Sequence, residues 1–335
     1  MQSYLPNAIS VIRRIALLLI SAAAAVGAAA AVPGWTPDKP VEFIVPDSAG
    51  GGQDRTVRIL QKLLQDNGLV ATPINIANKP GGRGNLAYTY LNQFPRDAHY
   101  LAIATATMLT NHVLGLSTFS YADFTPVAIL YGEYIGFAAN ADGPLKSGKD
   151  LVERLRKNPE SVTFAFGTSP GNANHIAIAM VAKAAGIDPR KLKTVIYKAS
   201  IDATTALMGG HVDVVATPTS TYAPVMGTGK VRIIGIAAPR RIGGLFASAP
   251  TWNEQGINAV VSGYRMLIGP KDWNAAQIAF WDNALARVTQ TDAWQKELAA
   301  NEWENNYMSS ADSRKYLDGR YDEYRKILLE LGLAK

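Results

Sequence analysis

The chain has 335 residues, 48% of them hydrophobic, a formal net charge of +6 and no cysteine. That length accommodates two domains of ordinary size, and the missing cysteines exclude disulfides, thiolate metal sites and cysteine nucleophiles. The charge excess is mild and no basic tract is interleaved with aromatics, so nucleic acid is excluded as a partner, whereas a weak positive field favours anionic small molecules.

Residues 1–31 read as an export signal. Arg13 and Arg14 form its positive region, residues 15–20 its apolar core, and residues 21–31 a small-residue tail ending in Ala29, Ala30 and Ala31. The apolar run is too short for a membrane anchor. The arginine pair lacks the polar neighbours of a twin-arginine signal, so the expectation is ordinary secretion, which in bacteria means the periplasm. Arg13 and Arg14 are the leader's only charges, leaving 31 basic and 27 acidic residues, a net of +4, on the remainder.

The first element after the leader organises the rest. Residues 41–45 alternate as a buried strand, Pro46 ends it, and Gly50, Gly51 and Gly52 allow a sharp turn and close approach of a ligand. Val57, Leu60 and Leu64 then recur at helical spacing. A strand, a glycine turn and a helix start present backbone N–H groups to an anion, although the same design also serves as a plain tight connection. Contiguous glycines without GxxxxGK[ST] or GxGxxG spacing exclude a nucleotide site.

The design repeats down the chain. Residues 72–78 are a strand, Lys79 to Asn85 a glycine loop, 86–91 a helix, 100–104 a strand and 108–114 a helical turn. Residues 127–139 are extended and apolar. Then come helix 149–157, strand 161–166, the loop GTSPGNANH ending at His175, and helix 176–185. Strands follow at 194–197, 212–217, 231–237 and 260–268, with helices at 203–208, 275–288, 292–301 and 310–331. Alternating strands and helices imply an α/β fold with parallel sheets, whose ligands bind beyond the carboxyl ends of the strands. The two long extended stretches look like paired crossings between two lobes, which predicts a hinged cleft. The expected division is lobe I over 32–139 and 260–335, and lobe II over 140–259.

Chemistry-bearing residues are few. The four histidines, His99, His112, His175 and His211, show no metal-binding spacing, and no GxSxG elbow is present. His175 either contacts a ligand or packs locally; His99 and His211 suit structural or exposed places. Arg83 offers a bidentate fork to a carboxylate, or is a solvated loop arginine. Asp54 and Ser200 stand where they can cap helices, and Asp202 faces a strand exit or favours a helix start. Trp281, Trp294 and Tyr324 read as packing residues.

Together these features resemble the periplasmic solute receptors of tripartite tricarboxylate transporters, the Bug or TctC family. The likeness runs over Pro46 to Asp54, Asn78-Lys79-Pro80-Gly81, the loop ending at His175, Tyr197-Lys198, and the GGxVD segment from Gly209 to Asp213. It implies a two-lobed type II periplasmic binding protein fold with a hinged central cleft, closing on a small carboxylate, aliphatic or aromatic, without cofactor or metal. It also implies a monomer that hands its ligand to large and small membrane subunits. The implied contacts are Ser48, Ala49, Gly50, Gly51, Thr105 and Thr107 from one lobe, and Ser169, Asn172, Asn174, His175, Asp202 and Thr217 from the other. The sequence departs from the family pattern at three places: Asp47 stands in place of Phe, Arg83 in place of a small residue, and Thr217-Pro218 in place of an acidic or amide pair. Asp47 repels a ligand carboxylate unless it points away or meets a positive group. The competing readings are an enzyme using His175 and Asp202 as acid and base, and a receptor that reports to a sensor.

Overall fold

Strand Val41–Val45 (β1) is almost wholly buried and gives way at Pro46 to helix Gly52–Asp66 (α1), in a computed structural model that describes residues 34–334. The leader expected over residues 1–31 lies outside the described residues. Val57, Leu60, Leu63 and Leu64 are the buried stripe of α1, the face a helix must cover to be stable. Strands Ile74–Asn78 (β2) and Tyr100–Ala104 (β3) flank β1 in parallel, each followed by a short helix, Asn85–Leu91 (α2) and Thr107–Val113 (α3).

Next comes Thr125–Asn140 (β4), sixteen residues buried on both faces, and then helix Gly148–Lys157 (α4). A second parallel set follows. Thr163–Gly167 (β5) lies between Lys193–Tyr197 (β6) and Val214–Pro218 (β7), with helices Ala173–Ala184 (α5) and Ser200–Met208 (α6) as crossovers. Helix Thr219–Met226 (α7), strand Val231–Ile236 (β8) and the return strand Ser262–Gly269 (β9) complete the sheet. Its order is β2-β1-β3-β9-β4-β7-β5-β6, with β8 also on β4.

The all-parallel expectation needs correction. β9 runs antiparallel to both β3 and β4, and β4 runs antiparallel to β7 and β8. Antiparallel pairing needs no helical crossover, so an extended run can leave one strand group and another can return beside it. β4 changes partners midway: Thr125 to Tyr134 pair with β9, whereas Ile135 to Asn140 pair with β7 and β8.

The C-terminal helices are Ala275–Thr289 (α8), Asp292–Ala300 (α9) and Ser310–Glu330 (α10). Trp281, Trp294 and Tyr324, read as packing residues without a side assigned, are buried. α10 packs on β4, α3 and α5, so it touches helices of both strand groups. Among the described residues no helix is long and apolar enough to cross a membrane.

Two caps differ from expectation. α1 begins at Gly52 with Gly51 as its N-cap residue, which places Asp54 inside the first turn. Ser200 is itself the first residue of α6, behind Ala199. α5 starts at Ala173, three residues early, because the Asn172 Oδ1 accepts the His175 N–H at 3.0 Å.

Candidate functional site

The exits of β1, β3 and β5 open on a cavity of about 380 Å³. At the first exit the turn is tied to itself. Gly50 adopts φ +84°, a conformation that favours glycine, and a Cβ on Gly51 would lie 2.0 Å from Asp47 Oδ2. The Asp47 carboxylate therefore lies over Gly51, its Oδ1 accepting the Ser48 N–H at 2.9 Å. Gly50 N–H donates to Asp54 Oδ2 at 2.8 Å, and Gly51 N–H to the Ser48 carbonyl at 3.0 Å. The N–H groups of Ser48, Gly50 and Gly51, the expected anion donors, are thus engaged within the turn. Asp47, Gly52 and Gln53 line the cavity, while Ser48, Ala49, Gly50 and Gly51 do not. No side chain caps α1, so its first N–H groups begin at that wall.

Asp54 is the fastener. Buried, it accepts from Arg58 Nε at 2.7 Å and Nη2 at 3.0 Å, and from Asn78 Nδ2 at 2.9 Å. The Arg58 hydrogen bonds, aided by Gly50 and Asn78 against the opposing effect of burial, hold its carboxyl down at about 2.

The second glycine loop has four consecutive left-handed residues, Gly81, Gly82, Arg83 and Gly84, of which only Arg83 (φ +57°) carries a side chain. Asn111 Nδ2 donates to the Arg83 carbonyl at 3.0 Å and holds the loop in place. Arg83 lines the cavity, with Thr105 and Thr107 from the β3 exit beside it.

The opposite wall comes from the β5 exit. Ser169, Asn172 and Asn174 line it, each buried yet polar. Asn172 Nδ2 donates to the Gly167 carbonyl and to Thr168 Oγ1, both at 2.7 Å, which fixes the loop in which Thr168 takes φ +77°. Ser200 and Pro218 complete this side.

Besides Ser48, Ala49, Gly50 and Gly51, three expected residues lie off the lining: His175, Asp202 and Thr217. The His175 ring stacks on Phe166 at 4.9 Å, and its Nδ1 accepts the Gly171 N–H at 3.1 Å. Burial pushes its pKa down to about 4, so the ring is neutral at ordinary pH. Asp202 is exposed in the first turn of α6. Thr217 is buried, donating to Thr221 Oγ1 at 3.4 Å, and its neighbour Pro218 reaches the cavity instead.

The sequence reading missed Glu133 from β4 and Tyr264 and Arg265 from β9, all on the lining. Arg265 Nη2 lies 3.2 Å from Glu133 Oε2. A charged residue inside each apolar strand was the available signal, since an unpaired charge is not buried without a reason. Among the described residues no group of three or more His, Asp or Glu could hold a metal ion. The guanidiniums of Arg83 and Arg265 share the lining with the carboxylates of Asp47 and Glu133, and the neutral hydroxyl, amide and N–H donors between them suit the holding of an anion. A neutral His175 bound to its own loop and an exposed Asp202 do not make an acid–base pair.

A model of the tripartite tricarboxylate transporter family receptor matches residues 57–333. An uncharacterised-family protein from the gbd 5′ region of Cupriavidus necator is 27% identical over 94% of this chain and 96% of its own length. BugT of Bordetella pertussis is 25% identical over 83% of this chain and 85% of its own. Among solved structures, a TctC solute-binding protein from Polaromonas superposes with a TM-score of 0.75 at 21% identity, covering 88% of this chain and 99% of that one. A protein of R. palustris solved with adipate gives 0.76 at 20% identity over 89% and 99%. These likenesses carry the two-lobed periplasmic-binding fold, and the family is one of solute receptors, not enzymes. The chain therefore belongs to the tripartite tricarboxylate transporter receptor family.

Proposed function

We propose that the protein, exported by residues 1–31, captures a small organic carboxylate in this cleft and delivers it to the large and small membrane subunits of a tripartite transporter. The ligand class is a dicarboxylate, aliphatic or aromatic. The observation that carries the reading is the lining itself. Gly52 and Gln53 at the start of α1, Arg83 and the Thr105–Thr107 turn face Ser169, Asn172 and Asn174 across about 380 Å³. Such a cavity is of the size of small-molecule sites, with polar groups set to orient one ligand. Solved proteins of similar fold are described as holding adipate and malate, which is consistent with this class.

Lobe I would be residues 32–139 with 260–335 and lobe II residues 140–259, with β4 and β9 as the hinge between them. Closure follows from the ligand's contacts to both lobes, which favour the closed state in proportion to their difference between states.

The test is a thermal-shift screen against aliphatic and aromatic dicarboxylates, tricarboxylates, amino acids and neutral sugars. A ligand at a hundredfold excess over its Kd adds about 2.7 kcal/mol. A shift confined to one class of acids supports the reading. A shift with neutral compounds alone, or with none, overturns it.

A further inference from the structure

The cleft adjoins a second cavity of about 350 Å³, whose lining includes Arg55, Tyr131, Ser220 and Trp303. Tyr131 and Trp303 stack there at 4.0 Å. Glu133 and Arg265 line both cavities and stand at their junction.

Arg265 occupies a particular place on β9. The ladder with β3 ends at Ala104 opposite Met266, so Arg265 is the first residue beyond the carboxyl end of β3, where open α/β sheets bind ligands. Within Gly263 to Gly269 it alone is not fully buried. Its side chain keeps 19% exposure, against 4% for that of Glu133.

The pair is incompletely satisfied. Glu133 Oε1 accepts from Ser220 Oγ at 2.7 Å, but Oε2 has only the Arg265 charge at 3.2 Å and no hydrogen bond. Arg265 Nη1 donates to its neighbour's carbonyl, that of Tyr264, at a long 3.4 Å, and its Nε has no partner. A guanidinium carries five donors. A buried ion pair repays its desolvation only when the remaining donors and lone pairs are met, and here several are not. Burial opposes the charge on Arg265, and Glu133, Tyr131 and Asp47 outweigh it, so the side chain stays cationic.

We propose that Arg265 is the charge anchor for the ligand: an anionic carboxylate at the junction of the two cavities takes guanidinium donors that the protein leaves open, with Glu133 retained as internal counter-ion. This rests on the carboxylate reading above and adds the residue that recognises the charge. Planar carboxylate and guanidinium edges pair through two parallel hydrogen bonds, which lysine cannot reproduce. Glu133, tied to Ser220 on α7, keeps Arg265 in place before the ligand arrives.

Succinate, adipate and phthalate titrated calorimetrically into the full chain, into Glu133→Gln/Arg265→Gln and into Arg265→Lys make the test. The double variant keeps two hydrogen-bonding side chains and buries no lone charge. We expect its affinity for the acid bound best by the wild type to fall at least tenfold with circular dichroism unchanged, and Arg265→Lys to fall three- to tenfold. Carboxyl ¹³C titration of that acid, bound to the wild type, should be displaced to lower pH, because a neighbouring cation favours the ionised form. In the double variant the displacement should disappear. A folded double variant binding within twofold of the wild type, or the same carboxyl titration in both, overturns the proposal while leaving the carboxylate reading intact. If the double variant does not fold, wild-type affinity in Arg265→Lys overturns it equally. Failure of all three acids to bind the wild type, together with no thermal shift for any other acid, overturns both.

Discussion

Replacing Asp54 with Asn tests how the first glycine turn is held. The carboxylate is buried and satisfies Gly50 N–H, two nitrogens of Arg58 and Asn78 Nδ2. Its fall from 3.8 to about 2 corresponds to about 2.4 kcal/mol at ~1.36 kcal/mol per unit. Arg58 is 52% exposed, so solvent screens the largest contribution and about 1–2 kcal/mol is the figure to expect. Because the folded value lies below the unfolded one, this stability is fully present above the unfolded value of 3.8 and is lost as pH falls through about 2. Urea unfolding of the wild type and Asp54→Asn at intervals from pH 6 to pH 2 should show a gap of about 1–2 kcal/mol at the upper end that closes toward the lower. The other acid-sensitive groups are common to both proteins and cancel in the difference. A gap that stays constant down to pH 2 would mean that the charge of Asp54 does not stabilise the turn, and the network reading would fail. The same variant should weaken ligand binding, since Gly50 loses the charged acceptor for its N–H.

Arg83 is a side chain held at φ +57°, where glycine removes about 1 kcal/mol of strain. Arg83→Gly should therefore unfold at a higher urea concentration yet bind its acid about three- to tenfold more weakly, strain and function moving in opposite directions; equal affinity would remove Arg83 from the site. Asn172→Ala strips the α5 cap and leaves the Gly167 carbonyl and Thr168 hydroxyl without their donor, a loss of about 1–3 kcal/mol by denaturant titration. His175 is kept neutral by burial down to about 4, so its stability contribution is complete above its ordinary value of 6.5 and declines as pH falls from there to about 4. The wild type should lose stability relative to His175→Gln over that interval, and parallel curves would refute the buried neutral ring.

Much of this was legible in the residues alone. The buried stripe of α1, the alternation in β1, the glycine loops and the three C-terminal helices follow from periodicity and turn chemistry, which act between neighbours in the chain. Asp47, Arg83, Thr105 and Thr107 line one cavity with Ser169, Asn172 and Asn174 because the parallel strands of each group gather their exits at one end, while the antiparallel β4 and β9 between the groups turn those two ends toward each other. The chemistry inside that cavity was settled differently. Whether the N–H groups of Ser48, Gly50 and Gly51 are free depends on where the carboxylates of Asp47 and Asp54 fold back. That Glu133 meets Arg265 depends on the antiparallel register of β4 and β9, which places Glu133 opposite Gly263 and Tyr131 opposite Arg265. What the sequence determined by itself was the elements, because their signals are local. Only the tertiary structure decided which donors remain open and which charges face each other, because these follow from pairing between residues far apart in the chain.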